Sequence, residues 1–132
     1  MSLKHLHFLI VDDNDMMRSL LRGILRNGGH NVIGEASNAP TAIEMANRLK
    51  PDIVCLDIVM PGEMDGLEAL VEIKKDRTQT QVVMITGNAD QDTVQEAINN
   101  GASGFIVKPF NAARVLDTLE IIMRRSMKKR GT

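Results

Sequence analysis

Two hydrophobic periodicities alternate along this chain, and their alternation limits the folds that it can adopt. Short apolar runs, typical of strands buried on both faces, are each followed by apolar residues at helical spacing. The predicted strands cover residues 6–11, 31–36, 53–56, 82–85 and 104–107. Five strands that alternate with five helices predict an α/β domain in which helices cover both faces of a parallel sheet.

The helical stripes begin or end at residues that commonly cap helices. These residues are Gly28–Gly29, Pro40, Asp65–Gly66, Asn100–Gly101 and Asn111 in chain order. Met16 and Leu20 belong to the first stripe and Ile98 to the fourth, so we expect their side chains in the core. The fifth stripe predicts a helix over residues 112–123.

The apolar content of the strands predicts their order in the sheet. The first, third and fourth runs are almost wholly apolar, whereas the second and fifth are mixed, which favours edge positions. With right-handed crossovers, this ranking matches the flavodoxin-like (βα)5 order 2-1-3-4-5. In that arrangement a functional site is expected at the carboxyl ends of the first and third strands.

Composition excludes several classes of protein. The 132 residues fit a single domain, 1–132, for which we expect a core over about 5–124 and a basic C-terminal tail over 125–132. The longest apolar run is far shorter than the ~20 residues of a membrane-spanning helix, so we expect a cytoplasmic domain with no membrane association. A single cysteine, Cys55, excludes an internal disulfide framework and a zinc site built from cysteines.

The charge pattern argues against direct nucleic-acid binding. The net charge is −1, the sequence has no Trp or Tyr, and the basic residues cluster near the C-terminus. A cationic helix end suits the helix dipole and often frays, which is the simplest interpretation of the tail. The alternative is contact with an acidic partner.

Polar side chains follow four of the five predicted strands. Asp12 and Asp13 follow the first strand, Asp57 the third, Thr86 the fourth and Lys108 the fifth. Because these positions lie along one edge of a parallel sheet, we expect the side chains to converge. Carboxylates this close repel, which raises the pKa of at least one unless a cation compensates. Oxygen ligands of high charge favour Mg²⁺, and the lysine and hydroxyl would then serve a phosphoryl group.

Five stretches of the sequence together resemble response-regulator receiver domains, in particular the stand-alone chemotaxis type. They are residues 9–15 (LIVDDND), 52–61 (DIVCLDIVMP), 65–66 (DG), 83–87 (VMITG) and 101–110 (GASGFIVKPF). The resemblance extends over essentially the whole chain. It implies a switch that is phosphorylated on Asp57 by a histidine kinase or phosphotransfer protein. Such a receiver is not an enzyme and would catalyse only its own phosphorylation and dephosphorylation.

The resemblance also implies the ligands of a metal and of the phosphoryl group. Mg²⁺, for which Mn²⁺ can substitute, would be held by Asp12, Asp13, Asp57 and the backbone carbonyl of Val59. Lys108 would pair with the phosphoryl group.

Further implied roles concern switching and the lifetime of the phosphoryl group. Thr86 would hydrogen-bond the phosphoryl group, and Phe105 would act with it as an aromatic switch. Val59 and Asn88 would flank the phosphoryl group, and the Lys108–Pro109 peptide would be cis. The face formed by helix 90–100, strand 104–107 and helix 112–123 would bind a downstream protein or a second copy of the domain.

The chain departs from the family pattern in the loop 60–66, which is one residue longer than usual.

Two other functions on parallel sheets are disfavoured by single positions. A phosphatase of the haloacid-dehalogenase type needs an Asp two residues after its nucleophile, where this chain has Val59. A flavodoxin-like flavin carrier needs a phosphate-cradling loop where this chain has Asp12 and Asp13, which would repel phosphate. The sequence leaves open whether the domain stands alone or belongs to a longer protein.

Overall fold

The structure, a computed structural model, describes residues 6–88 and 90–131, with side chains up to Ser126. Over these residues, five strands alternate with five helices. The strands are β1 (His7–Val11), β2 (Asn31–Ala36), β3 (Ile53–Asp57), β4 (Gln81–Thr86) and β5 (Gly104–Val107). The helices are α1 (Asp15–Asn27), α2 (Ala39–Leu49), α3 (Gly66–Asp76), α4 (Gln91–Asn99) and α5 (Ala112–Gly131). The predicted alternation is confirmed.

The strands are parallel and lie in the order β2-β1-β3-β4-β5, which confirms the flavodoxin-like arrangement. Every residue of β3 is buried, whereas β2 and β5, at the edges, are partly accessible. Helices α1 and α5 pack on one face of the sheet against Phe8 and Ile10. Helices α2, α3 and α4 pack on the other face, against Leu9 and Val54. Both faces of the central strands are therefore covered, as their continuous apolar sequences predict.

Each helix begins at a side chain that accepts a hydrogen bond from the backbone N–H three residues later. These capping residues are Asn14, Asn38, Asp65, Asp90 and Asn111. Such caps satisfy N–H groups that have no partner within the helix. The predicted cap at Asn111 is confirmed, and all five helices start after loops that leave the carboxyl edge of the sheet.

Some apolar residues assigned to the core by periodicity are exposed. Met16 is 80% accessible, and Leu20 and Ile98 are about half exposed. The expectation that they are buried is therefore wrong: the apolar stripes of α1 and α4 are wider than the part of each helix that faces the sheet. Cys55 does lie in the core, where burial raises the pKa of its thiol to about 12.

Helix α5 extends beyond the predicted end at residue 123 and reaches Gly131. Arg124 and Arg125 are exposed on it, and the side chains of the remaining basic residues lie outside the described part of the chain. Among the described residues, no helix combines the length and the apolar character needed to cross a membrane.

Candidate functional site

Strand register brings the acidic residues of β1 and β3 to the same level of the sheet. Val11 is paired with Leu56, so the next residues, Asp12 and Asp57, leave the two neighbouring strands side by side. Asp12, Asp13 and Asp57 each offer a carboxylate oxygen, and these oxygens lie within 4.8 Å of one another. The predicted convergence of the three carboxylates is confirmed.

A single ammonium group bridges two of the carboxylates. Lys108 Nζ lies 3.1 Å from Asp12 Oδ2 and 3.1 Å from Asp57 Oδ2. Lys108 follows β5, whose backbone is fixed there by the hydrogen bond from Lys108 N to Thr86 O, and the Lys108–Pro109 peptide is cis as expected. Burial lowers the pKa of Lys108, but the hydrogen bonds and negative charges of Asp12 and Asp57 outweigh this effect and raise it. Lys108 therefore stays charged at neutral pH.

The pKa of Asp57 is raised above its ordinary value of 3.8. Burial is the largest cause, since only 5% of Asp57 is accessible. The charge of Asp12 adds to the shift, while Lys108 and the N–H of Val59 oppose it. Repulsion between carboxylates therefore raises the pKa of Asp57, as predicted, but the burial of Asp57 raises it more. One lysine does not compensate three carboxylates, so the cluster favours a further cation.

The donor set of the cluster fits Mg²⁺. It consists of carboxylate oxygens from Asp12, Asp13 and Asp57, which are the hard ligands that this cation prefers. Asp12 and Asp57 are buried, whereas Asp13 is exposed, so a cation could reach the cluster from the solvent side.

Gly66 holds the backbone of Asp57 in place, a role that the sequence patterns did not reveal. Its N–H donates to Ile58 O at 2.8 Å. A Cβ atom at position 66 would lie 2.1 Å from Asp57 O and 2.7 Å from Ile58 Cα. The first turn of α3 therefore touches the end of β3 at a distance that only glycine allows. The Asp-Gly pair marked a helix start in the sequence, but nothing local indicated this contact.

Two other residues that contact Asp12 were missed by sequence reasoning: Asn14 in the loop after β1 and Arg18 on α1. Asn14 N donates to Asp12 Oδ1 at 2.9 Å, and Arg18 Nη1 donates to the backbone oxygen of Asp12 at 2.6 Å. Arg18 lies on the polar side of α1, where an arginine usually indicates only a solvated surface. Its contact with the Asp12 backbone depends on how α1 packs on the sheet.

Thr86 lies at the end of β4 but does not join the carboxylates. Its buried hydroxyl donates to Asn88 O and accepts from Asn88 N, both at 3.0 Å. Among the described residues, Thr86 forms no hydrogen bond with Asp12, Asp13 or Asp57. The expected convergence therefore holds for the carboxylates and the lysine, while the hydroxyl is engaged by the β4–α4 loop.

The other predicted site residues lie on β5 or in the loops that follow β3 and β4. Val59 is 74% exposed and its N–H donates to Asp57 Oδ1 at 3.3 Å. Asn88 is exposed at the end of β4. Phe105 is half-buried and packs on the α2–α3–α4 side of the sheet, with its backbone paired to Met84.

Comparison with known proteins gives consistent matches over most of the chain. The sequence model of the response regulator receiver domain matches residues 8–120. Chemotaxis protein CheY of Listeria monocytogenes is 46% identical over 115 residues, which cover 87% of this chain and 96% of that protein. CheY of Thermotoga maritima is 43% identical over 116 residues, which cover 88% of this chain and 96% of that protein.

Solved structures show the same similarity. A CheY-like response regulator receiver domain protein from Methanospirillum hungatei superposes with a TM-score of 0.87 at 28% identity and covers 97% of this chain and 99% of that one. The CheX–CheY–BeF3–Mg²⁺ complex from Borrelia burgdorferi matches with a TM-score of 0.84 at 33% identity, over 89% of each chain.

Proposed function

We propose that Asp57 is the phosphoacceptor of this chain, which belongs to the response regulator receiver domain family. Proteins of this family are phosphorylation-regulated switches of two-component signalling, not classical enzymes, and they use Mg²⁺ at an acidic pocket. The observation that carries the proposal is the juxtaposition of three carboxylates with Lys108 at the carboxyl edge of the sheet.

The chemistry assigned to Asp57 is nucleophilic attack on phosphorus. Its carboxylate oxygen would form the O–P bond while the P–N bond to a donor imidazole breaks, and the electron pair of that bond stays on the departing ring nitrogen, which takes up a proton from solvent. A histidine kinase or a phosphotransfer protein would supply that phosphohistidine. Lys108, 3.1 Å from Asp57 Oδ2, is placed to pair with negative charge on the transferred group.

The metal would be held by Asp12, Asp13, Asp57 and the backbone carbonyl of Val59, with Mn²⁺ able to replace Mg²⁺. When bound, the cation neutralises the charge of the carboxylates and of the phosphoryl oxygens. The raised pKa of Asp57 supports this assignment, because an added cation favours the ionised carboxylate that acts as nucleophile.

The only reactions proposed for the domain itself are its own phosphorylation and dephosphorylation. Val59 and Asn88 are both exposed beside Asp57 and Thr86 and would flank the phosphoryl group. The Val59 side chain cannot hydrogen-bond an attacking water, so it would not assist hydrolysis. We expect Val59→Asn to change the lifetime of phosphorylated Asp57 without abolishing its formation, as measured by the loss of label with time.

Phosphorylation would act on the α4–β5–α5 face through Thr86 and Phe105. The Thr86 hydroxyl, now bonded to Asn88, would turn toward the phosphoryl group and leave space for the Phe105 ring to move inward. That is a difference in contacts between two states, as a population shift requires. The face already exposes Ile98, Val107 and Ile121.

The partner of this face would be a downstream cytoplasmic protein or a second copy of the domain. The structural relative from Borrelia burgdorferi was solved with CheX, which supports a protein target. We propose no direct contact with nucleic acid and no association with a membrane.

Mass spectrometry tests the phosphoacceptor directly. The full chain is incubated with a small phosphodonor, such as acetyl phosphate, with and without Mg²⁺, and the modified residue is mapped. We expect one phosphoryl group on Asp57 that requires Mg²⁺ and is absent from Asp57→Asn. Asp76→Asn, which changes an exposed Asp at the end of α3, is the matched control and should be labelled like the parent. Label that persists unchanged in Asp57→Asn would refute the assignment.

Amide NMR spectra test the route to the α4–β5–α5 face without requiring its partner. Phosphorylation of the parent should shift amide resonances of α4 and β5. In Phe105→Ala, Asp57 should still be phosphorylated while those shifts are largely lost. Val71→Ala, which truncates an exposed apolar side chain on α3, should keep them. Undiminished shifts in Phe105→Ala would show that another element carries the signal.

A further inference from the structure

The charged side chains of α1 and β2 form a network that ends on the backbone of the acidic cluster. Arg18 Nη1 donates to Asp12 O at 2.6 Å, its Nη2 pairs with Asp15, and its Nε lies 3.4 Å from Glu35 Oε1. Arg22 pairs with the other carboxylate oxygen of Glu35. The Arg18 side chain is only 16% exposed, so this guanidinium is held by protein contacts on several sides.

A register shift in the sheet brings Glu35 to these arginines. Phe8 is paired with Val32, but Leu9 is paired with Gly34, so Ile33 is an extra residue in β2. The extra residue reverses the alternation of faces, and Glu35 comes to lie opposite Ile10, on the side covered by α1. Without this shift Glu35 would point toward α2, and the Arg18 guanidinium would lose its contact with the Glu35 carboxylate.

The hydrogen bond from Arg18 acts on the peptide that joins Asp12 to Asp13. The Asp12 side chain is already held by Lys108 and by the N–H of Asn14, whereas the Asp13 side chain is exposed. An anchored carbonyl at Asp12 fixes the plane of that peptide and therefore the direction in which Asp13 leaves the backbone. The planar guanidinium can hold the carbonyl and two carboxylates at once, which an ammonium group cannot do in the same geometry.

We infer that Arg18, oriented by Glu35, is a positioning residue that sets Asp13 for Mg²⁺ binding. The inference rests on the proposed function, since it assigns Asp13 to the metal. A positioning role and a purely electrostatic role of Arg18 predict opposite changes in Mg²⁺ affinity when Arg18 is replaced. Removal of a positive charge beside an acidic cluster should strengthen Mg²⁺ binding through charge alone, whereas loss of positioning should weaken it.

The test is a calorimetric titration of Mg²⁺ into the full chain at a temperature where circular dichroism shows every variant folded. We expect Arg18→Met to weaken Mg²⁺ binding about tenfold, the lower end of the loss caused by removing an outer partner of a metal ligand. Arg18→Lys keeps the positive charge but not the planar guanidinium, and this variant should also bind Mg²⁺ more weakly than the parent. Arg22→Met is the matched control, because Arg22 shares Glu35 but does not reach Asp12, and it should bind Mg²⁺ like the parent.

A second measurement needs no metal. In amide NMR spectra of the metal-free protein, the Asp13 resonance should shift in both Arg18 variants and remain in place in Arg22→Met. A purely stabilising role for Arg18 would instead lower the unfolding temperature of Arg18→Met and Arg22→Met alike without changing Mg²⁺ affinity.

The outcomes separate this inference from the proposed function. If the parent binds Mg²⁺ and Arg18→Met binds it equally well or more tightly, the positioning role is wrong while the metal site stands. If the parent itself does not bind Mg²⁺, the metal site is wrong and the positioning role is overturned with it.

Discussion

The strands of the sheet start at its amino edge and end at its carboxyl edge, and these two edges differ in how their polar groups are paired. At the carboxyl edge, three carboxylates lie together, the ammonium of Lys108 pairs with only two of them, and the pKa of Asp57 is raised. At the opposite, amino edge, the buried Thr80 hydroxyl donates to Pro51 O at 3.0 Å, and Lys74 Nζ donates to the backbone oxygens of Thr78 and Thr80 in the α3–β4 loop. At the amino edge these two groups have hydrogen-bond partners within the protein, while the carboxyl edge has an excess of negative charge.

This difference indicates what each edge contributes. A hydrogen bond between neutral groups stabilises the folded chain whether or not a ligand is present. Uncompensated carboxylates oppose folding until a cation or a proton joins them. We therefore expect the amino edge to contribute folding stability and the carboxyl edge to contribute ligand-dependent switching. At the carboxyl edge, the repulsion that lowers stability is relieved when a cation binds.

The largest expected effect is at Gly66. In Gly66→Ala the added Cβ would overlap the backbone of Asp57 and Ile58, so we expect a loss of about 3 kcal/mol in the free energy of unfolding and strongly reduced phosphorylation. Urea unfolding followed by circular dichroism measures the first effect. Gly23→Ala is the matched control: apart from the adjacent backbone of α1, no described atom lies within 4 Å of its added Cβ, and the change should stabilise α1 by about 0.5–1 kcal/mol. A Gly66→Ala variant as stable as the parent would show that the contact between α3 and β3 is not tight.

A smaller effect is expected at the amino edge. Thr80→Val removes a buried hydroxyl of similar shape and leaves Pro51 O without its donor, so the free energy of unfolding should fall by about 1–3 kcal/mol. Mg²⁺ affinity should not change, because the altered group lies at the other end of the strands. If Mg²⁺ binding weakened as well, the division of roles between the edges would be wrong.

The smallest effect is the pH dependence that Asp57 contributes. Its pKa is raised in the folded chain, so the folded state retains the proton as the pH rises above 3.8, the ordinary value at which the unfolded chain releases it. The stability due to the neutral acid is complete below that value and is lost as the pH rises through the folded pKa. We expect the parent to lose stability relative to Asp57→Asn as the pH rises above 3.8 and through the raised pKa of folded Asp57, in the absence of Mg²⁺, as measured by urea unfolding. A difference that did not vary with pH would show that Asp57 is not destabilised by its surroundings.

Much of this arrangement could be predicted from the sequence because the relevant information is local. Apolar runs identified the central strands, and the residues that follow them converge because parallel strands end at one edge. The carboxylates and Lys108 were found in this way. The exposure of Met16 was not predicted, because periodicity does not indicate how much of a helix face the sheet covers.

The contacts that position the site could not be predicted, since they depend on packing between elements. Gly66 touches the end of β3 only because α3 starts there, and Arg18 reaches Asp12 only because α1 folds back along β1. Thr86 shows the same limit: its place at the end of β4 was predicted, but its bond to Asn88 depends on the path of the following loop.

The stabilisation that Mg²⁺ gives to variants of the two edges is the most direct test of a magnesium site at the carboxyl edge. The free energy of unfolding is measured at pH 7.5 with and without saturating Mg²⁺ for the parent, Thr80→Val and Asp57→Asn. Because the proposed Mg²⁺ site is formed only in the folded chain, we expect the parent and Thr80→Val to gain the same increment and Asp57→Asn to gain clearly less. Equal increments in all three proteins, or none in the parent, would contradict the assignment of a magnesium-dependent phosphorylation site to the carboxyl edge.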